Sequence, residues 1–238
     1  MILAILQARM SSSRLPGKVL MPLAGAPMIV RQMERLRRSL RIDRIVVATS
    51  TGPEDNAIEA AVSQQGIAVH RGPLDNVLAR FLGALEAHPA EHVVRLTADC
   101  PFADPRVIDD TIALHLTAGG DYASNTPPHR TFPKGLDVEV MTADALRRAG
   151  VVANSPEERE HVTWGIHTRP DQWRLVFHSQ AADEGEVRWT VDRPDDYEFA
   201  AAVYDALHPR DPDFDSGAIR HFLRGQPGLQ AFGGDRRL

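Results

Sequence analysis

Hydrophobic positions along this chain follow two alternating rhythms. Four short runs, at 2–6, 44–49, 67–70 and 92–97, are rich in Val, Ile and Leu and have the length of buried strands. Between them, residues 27–38, 54–65 and 75–88 carry apolar side chains at three- and four-residue spacing, as amphipathic helices do. Such alternation predicts a mostly parallel sheet with helices on both faces, an α/β fold. A fourth helix is expected over 105–118, where Asp104 caps it, Pro105 suits its first turn and Gly119–Gly120 ends it.

Beyond Gly120 the rhythm changes. Residues 121–140 hold three prolines and little periodicity until 136–141, which alternates like a strand. Helices are predicted at 143–150 and 156–168, strands at 173–178 and 187–191, a long helix from Pro194 and a short one at 216–225. No repeat or composition shift marks a second domain. The expected organisation is one domain over 1–225, an excursion at about 121–185, and a Gly-rich mobile tail at 226–238.

With 43% hydrophobic and 25% charged residues, the 238-residue chain falls in the soluble globular class. Its one cysteine, Cys100, excludes an internal disulfide and fits a reducing cytosol; with no histidine beside it in sequence, it reads as a packed small residue. The first apolar run is too short to span a membrane and lacks a basic leader, so a cytoplasmic protein with no membrane partner is expected. A net charge of −5 argues against a nucleic-acid partner. Against that acidic background, residues 7–18, "QARMSSSRLPGK", gather Arg9, Arg14 and Lys18 with Ser11, Ser12, Ser13 and Gly17, and contain no acid. They follow the first strand, at the edge where open α/β sheets bind ligands, so they can wrap a polyphosphate; the plainer reading is a solvated polar loop. The stretch is neither a P-loop nor a dinucleotide fingerprint.

Asp99 and Asp192 each follow a β-type run and precede a Pro-marked turn, "ADCP" and "VDRP". Strand ends converge at one sheet edge, so the two carboxylates can hold a hard cation such as Mg²⁺; alternatively each caps the helix that follows. Asp195 and Asp196 read as first-turn acids favoured by the helix dipole, Asp195 also as a weaker metal contact.

The opening stretch, with "RLTADCPFADP" (95–105), "DYASNT" (121–126), "RTFPKGLDVEV" (130–140), "EREHVTWGI" (158–166) and "RWTVDRPDDYE" (188–198), resembles the cytidylyltransferases that activate acidic sugars. These are the CMP-Kdo and CMP-sialic acid synthetases, and the spore-coat polysaccharide biosynthesis protein F branch is the nearest likeness. The resemblance is collinear over roughly residues 1–205. It implies a Rossmann-like, glycosyltransferase-A-like nucleotide-diphosphosugar transferase fold and transfer of CMP from CTP to an acidic sugar or sugar-like acceptor, releasing pyrophosphate. It further implies Mg²⁺ on Asp99 and Asp192, catalytic roles for Arg14, Lys18, Asp99 and Asp192, and a homodimer formed through the excursion. Nucleotide contacts fall to Gln7, Ala8, Arg9, Ser11, Ser12, Ser13, Arg14, Gly17, Lys18, Thr97 and Ala98.

The acceptor is expected to meet Asn125, Arg130, Lys134, Asp137, Glu139, Glu160 and His161. Arg130 and Lys134 can hold a carboxylate or phosphate, and Asp137 and Glu139 share one face of a strand whose valines face the core. Solvated or core placements are the plainer readings for Arg130, Lys134 and His161. Trp164 stands where the branch commonly has Pro, which leaves the acceptor open. Alternatives are GTP or UTP as donor, a phosphorylated or phosphonate acceptor, and a glycosyltransferase or inactive nucleotide-binding protein. The Asp-x-Asp string that would favour a glycosyltransferase occurs outside the site at 211–213, in a late polar loop and not after a central strand.

Overall fold

The computed structural model describes residues 1–126 and 128–238; Pro127, inside the expected acceptor stretch, lies outside the described residues. The first half of the chain forms β1 (Ile2–Gln7), a small hairpin of β2 (Pro22–Leu23) and β3 (Ala26–Pro27), α1 (Met28–Leu36) and β4 (Arg44–Ser50). Then come α2 (Asn56–Ser63), β5 (Ala68–Gly72), α3 (Val77–Ala87), β6 (His92–Thr97) and α4 (Pro105–Ala118). The excursion supplies β7 (Tyr122–Ser124), β8 (Glu139–Thr142), α5 (Ala143–Val152), α6 (Pro156–Glu160), α7 (Trp164–His167) and β9 (Leu175–Phe177). The chain closes with α8 (Pro194–Leu207), α9 (Ser216–Arg224), α10 (Pro227–Gln230), β10 (Ala231–Phe232) and β11 (Asp235–Arg236).

The main sheet runs β5-β4-β1-β6-β8-β7-β9. β1 pairs in parallel with both β4 and β6, while β8 enters antiparallel between β6 and β7. Strand alternation divides the core into two layers. Ile2, Ala4 and Leu6 pack with residues of α1, α2, α4, α8 and α9; Leu3 and Ile5 pack with residues of α3 and α5. Gln7 sits in register with Ala48 and with Thr97, so the carboxyl ends of three parallel strands open at one level. That edge is where the basic loop begins. Among the described residues, no helix is long and apolar enough to cross a membrane.

Three expectations are corrected. Residues 187–191 are extended but do not join the main sheet. Their N–H groups turn instead to loops: Trp189 and Thr190 donate to Lys134 O at 2.7 and 3.0 Å, and Val191 donates to Asp99 O at 2.8 Å. The helix expected over 156–168 breaks into α6 and α7, because His161 leaves helical geometry at φ −102°, ψ 68°. The tail is not loose. Gly233 and Gly234, at φ 60° and 80°, make the turn of the β10–β11 hairpin, and Arg237 is fully buried. Glycines that read as mobility serve turn geometry.

At the far end of the sheet, His92 Nδ1 and His115 Nε2 lie 3.1 Å apart. Burial, and then the neighbouring His92, lower the His115 imidazole to about 4. The folded protein therefore keeps it neutral, whereas an unfolded histidine takes a proton near pH 6.5. The sign follows: this contribution is complete above pH 6.5 and is lost as pH falls toward 4, because the unfolded chain then binds the extra proton. Between pH 7.5 and 5, wild type should lose about 2 kcal/mol more stability than His115→Gln in urea denaturation. Equal losses would contradict the assignment.

Candidate active site

The basic loop owes its shape to one glycine and one buried acid. Gly17 adopts φ 74°, a conformation that side chains disfavour, and its N–H bonds Met10 O at 2.9 Å, which closes residues 10–17 into a ring. Asp55, fully buried just before α2, accepts Met10 N at 2.7 Å, Thr49 Oγ1 at 2.9 Å and Ser50 N at 3.0 Å. Burial would raise this carboxyl, but those donors hold it below the usual carboxylate range. Asp55 thus pins the loop to the end of β4, a role its place at a helix start did not advertise.

Beside the loop lies a cleft of about 320 Å³. Gln7, Ala8, Arg9, Ser12, Ser13, Arg14, Lys18, Thr97, Ala98, Asp99 and Asp192 all line it, as do Glu160 and His161, which were expected on the acceptor side. Ser11 and Gly17 do not. Ser11 points to solvent, and Gly17 acts through its backbone turn. Across the cleft mouth, Arg9 stands 3.9 Å from Glu160 of α6, linking the loop to the excursion.

Lys18 is the centre of the cleft's charge. Its ammonium is buried and donates to Asp192 Oδ1 at 2.8 Å, Asp99 Oδ2 at 3.1 Å and Val191 O at 2.7 Å. All three N–H donors are engaged, so Lys18 must release one partner before it can reach a phosphate. Burial would lower its pKa, but Asp99 and Asp192 outweigh that and raise it. Asp192 is also buried; its Oδ2 takes Arg14 at 3.1 Å and Arg188 at 2.8 Å. Burial again opposes ionisation, and Lys18, Arg188 and Arg14 prevail, keeping the carboxyl below its ordinary value.

The capping alternative is resolved. Asp104 caps α4 through Arg106 N at 2.9 Å, which leaves Asp99 free. At α8 the acid that reaches back is Asp196, accepting Asp192 N and Arg193 N at 3.0 Å each, so the Asp192 carboxylate is free to face the cleft. Asp196 is the first-turn acid expected and is in addition a buried hub, while Asp195, also in the first turn, is exposed outside the cleft. Cys100 is buried, and burial pushes its thiol well up, which fits a packed side chain and not a nucleophile.

One lysine nitrogen touching both Asp99 and Asp192 marks a point within reach of two carboxylates. Among the described residues, no group of three or more His, Cys, Asp or Glu could hold a metal alone. A cation bound here would complete its shell with phosphate and water oxygens, which suits a hard ion such as Mg²⁺ better than a closed zinc site.

A second cleft of about 240 Å³ adjoins the first; Thr97 and His161 line both. Its other walls are Arg95, Leu96, Thr126, Asp137, Glu139, Thr163, Trp164 and His167. Glu139 is held in the cleft wall: it pairs with Arg95 and accepts Tyr122 Oη at 2.6 Å and Thr163 Oγ1 at 2.5 Å. Three expected acceptor residues lie outside both clefts. Asn125 spends its amide on the backbone, Nδ2 to Leu136 O at 2.7 Å and Oδ1 from Val138 N at 2.8 Å. Arg130 is tied to Asp137, with Nη2 3.0 Å from Oδ2, and Lys134 is exposed.

Sequence reasoning missed Arg80 and Arg95. Arg80 lines the first cleft, is 2% exposed, and finds no partner among the described residues for its Nε and Nη1. Its signal was position: 77, 80, 81 and 84 form the buried face of α3, and an arginine there is out of pattern. Arg95 likewise interrupts the apolar run of β6.

Fold and site together define a nucleotidyltransferase: a Rossmann-like sheet whose first loop presents cations to two carboxylates. The family model described as cytidylyltransferase matches residues 3–175. The spore coat polysaccharide biosynthesis protein SpsF of Bacillus subtilis (strain 168) is 35% identical over 95% of each chain. A 3-deoxy-manno-octulosonate cytidylyltransferase of Bradyrhizobium sp. (strain ORS 278) is 40% identical over 60% of this chain and 58% of its own. Among solved structures, a cytidylyltransferase from Leptospira borgpetersenii serovar Hardjo-bovis (strain JB197) superposes with a TM-score of 0.91 at 27% identity, covering 96% of this chain and 95% of that one. The chain belongs to the cytidylyltransferase family.

The Asp55 anchor makes a direct prediction. Asp55→Ala removes the acceptor for two buried donors and one half-buried donor and should lower stability by about 2–3 kcal/mol, with faster protease cleavage within residues 9–16. Unchanged urea midpoint and cleavage would refute the anchor.

Proposed function

We propose that this protein transfers CMP from CTP to an acidic sugar or sugar-like acceptor in a Mg²⁺-dependent reaction of glycan biosynthesis. The observation that carries the reading is the pair of joined clefts, one lined by cations and two carboxylates, the other by polar and aromatic groups, meeting at Thr97 and His161. The relatives' names, a cytidylyltransferase for 3-deoxy-manno-octulosonate and a spore coat polysaccharide protein, support this donor and this acceptor class.

In this reading Arg9, Arg14 and the Ser12 and Ser13 hydroxyls bind the triphosphate, and Lys18 joins them by giving up one carboxylate. Asp99 and Asp192 would hold Mg²⁺, which when bound supplies charge neutralisation on the phosphates. Arg80, on the wall of the same cleft, adds positive charge beside the nucleotide. Thr126, Asp137, Thr163 and His167 orient the acceptor beside it, and Trp164, 43% exposed, forms the outer wall. An acceptor hydroxyl oxygen attacks the α-phosphorus and loses its proton to water. The bond from that phosphorus to the bridging oxygen breaks, and pyrophosphate departs. Most of the acceleration arises from alignment and charge placement. The expected homodimer is assigned to the excursion, where Val151, Val152 and Phe177 stand exposed.

Pyrophosphate release is the assay, with Mg²⁺, each nucleoside triphosphate and a panel of acidic sugars. CTP should support turnover, and Asp99→Asn and Asp192→Asn should each lower kcat by at least about 10²-fold. Turnover with GTP or UTP alone would overturn the choice of base, and near-wild-type rates in either variant would remove that aspartate from the mechanism.

A further inference from the structure

The last residues of the chain line neither cleft, yet they connect to the active site through one buried path. Arg237 is fully buried and its Nη2 donates to Asp196 Oδ1 at 2.8 Å. Asp196 in turn grips Arg188, with Nε to Oδ1 at 3.1 Å and Nη2 to Oδ2 at 3.0 Å. The same Arg188 Nη2 donates to Asp192 Oδ2 at 2.8 Å, and Asp196 also accepts the Asp192 N–H. Asp192 is thus held from behind at its carboxylate and at its backbone, both times by way of Asp196.

Asp196 is fixed by Arg188, Arg193 and two backbone N–H groups, and the tail adds one further charged donor, Arg237. Arg237 is locked on several sides: Nη1 donates to Arg188 O at 2.8 Å, its own N–H donates to Gln230 O at 2.8 Å, and its carbonyl accepts Trp189 Nε1 at 2.8 Å. Its guanidinium lies 4.8 Å from the centre of the Phe199 ring. Asp235 adds an ion pair to Arg193, and the turn at Gly233 lies so close to Asp195 that a Cβ there would come within 2.4 Å of the Asp195 Cβ. A buried carboxylate shared by Arg188, Arg193, Arg237 and two backbone N–H groups is held in one orientation; without Arg237 it loses its fully buried charged donor, and Arg188 can swing between its two acids.

We propose that Arg237 is a positioning residue: acting through Asp196 and Arg188, it sets the orientation of the Asp192 carboxylate in the active cleft. The assignment rests on the functional reading above. Arg237 lines neither cleft. It acts on the rate because small displacements of an aligning group are costly in catalysis.

The test uses the full chain carrying Arg237→Gln or Arg237→Lys. Amide hydrogen exchange at Asp192 and Arg193, whose N–H groups bond Asp196, is followed alongside kcat, the KM for CTP and the thermal midpoint. In Arg237→Gln, exchange at both amides should quicken at least about tenfold, and kcat should fall about 10- to 100-fold with KM for CTP within about threefold. Arg237→Lys, which keeps the charge, should recover part of both. A folded Gln variant with wild-type kcat overturns the proposal, as does a reduced kcat with unchanged exchange at Asp192 and Arg193. If Arg237→Gln fails to fold, the same pair of readouts in Arg237→Lys decides. Should wild type transfer no nucleotide, the functional reading fails, and the exchange measurement still judges the Arg237–Asp196 link by itself.

Discussion

The structure depends on one buried ammonium placed between two carboxylates. Lys18 rises from the first loop, Asp99 lies two residues past β6, and Asp192 comes from an extended segment nearly a hundred residues later. Charges of this kind are costly to remove from water unless they are paired, so the three segments gain stability only by meeting. Val191 N to Asp99 O at 2.8 Å ties the two acidic segments together, and Lys18 Nζ to Val191 O at 2.7 Å ties both to the loop. The contact that assembles the site is also what a phosphate must open.

Around that centre the molecule is layered by charge. Arg9 and Arg14 stand at the mouth, with side chains 43% and 59% exposed. Arg80 lies deep, its Nε and Nη1 without a partner among the described residues, and Arg188, Arg193 and Arg237 form a support behind Asp192 that never reaches the cleft. The adjoining cleft is quieter. Its buried acid, Glu139, is held ionised against burial by Arg95, Thr163 and Tyr122, and those contacts fix it in the wall. Polar groups there bond one another, and hydroxyls, two histidines and Trp164 complete the lining.

Much of this was legible in the residues. Buried strands announced themselves through Val and Ile runs, and the loop through an excess of cations in an acidic chain. Asp99 and Asp192 were found because strand ends share an edge, although Asp192 reaches it on an extended segment outside the main sheet. What stayed hidden depends on contacts between distant positions. Asn125, Arg130 and Lys134 have ligand-binding chemistry, but their partners, or their solvent exposure, are set by the turn they occupy. Arg237 sat among glycines that resembled a loose end, and only the fold brings Asp196, forty-one residues earlier, against it. Composition reports what a side chain can do; packing decides what is left for it to do.

Phosphorus-31 NMR of wild-type protein with CTP, Mg²⁺ and 3-deoxy-manno-octulosonate examines the central claim at the bond that breaks. Cleavage at the α-phosphorus predicts one new phosphodiester resonance growing in step with an equal amount of pyrophosphate. Appearance of CDP with inorganic phosphate, or a spectrum of CTP that does not change across the panel of acidic sugars, would contradict cytidylyl transfer at this site.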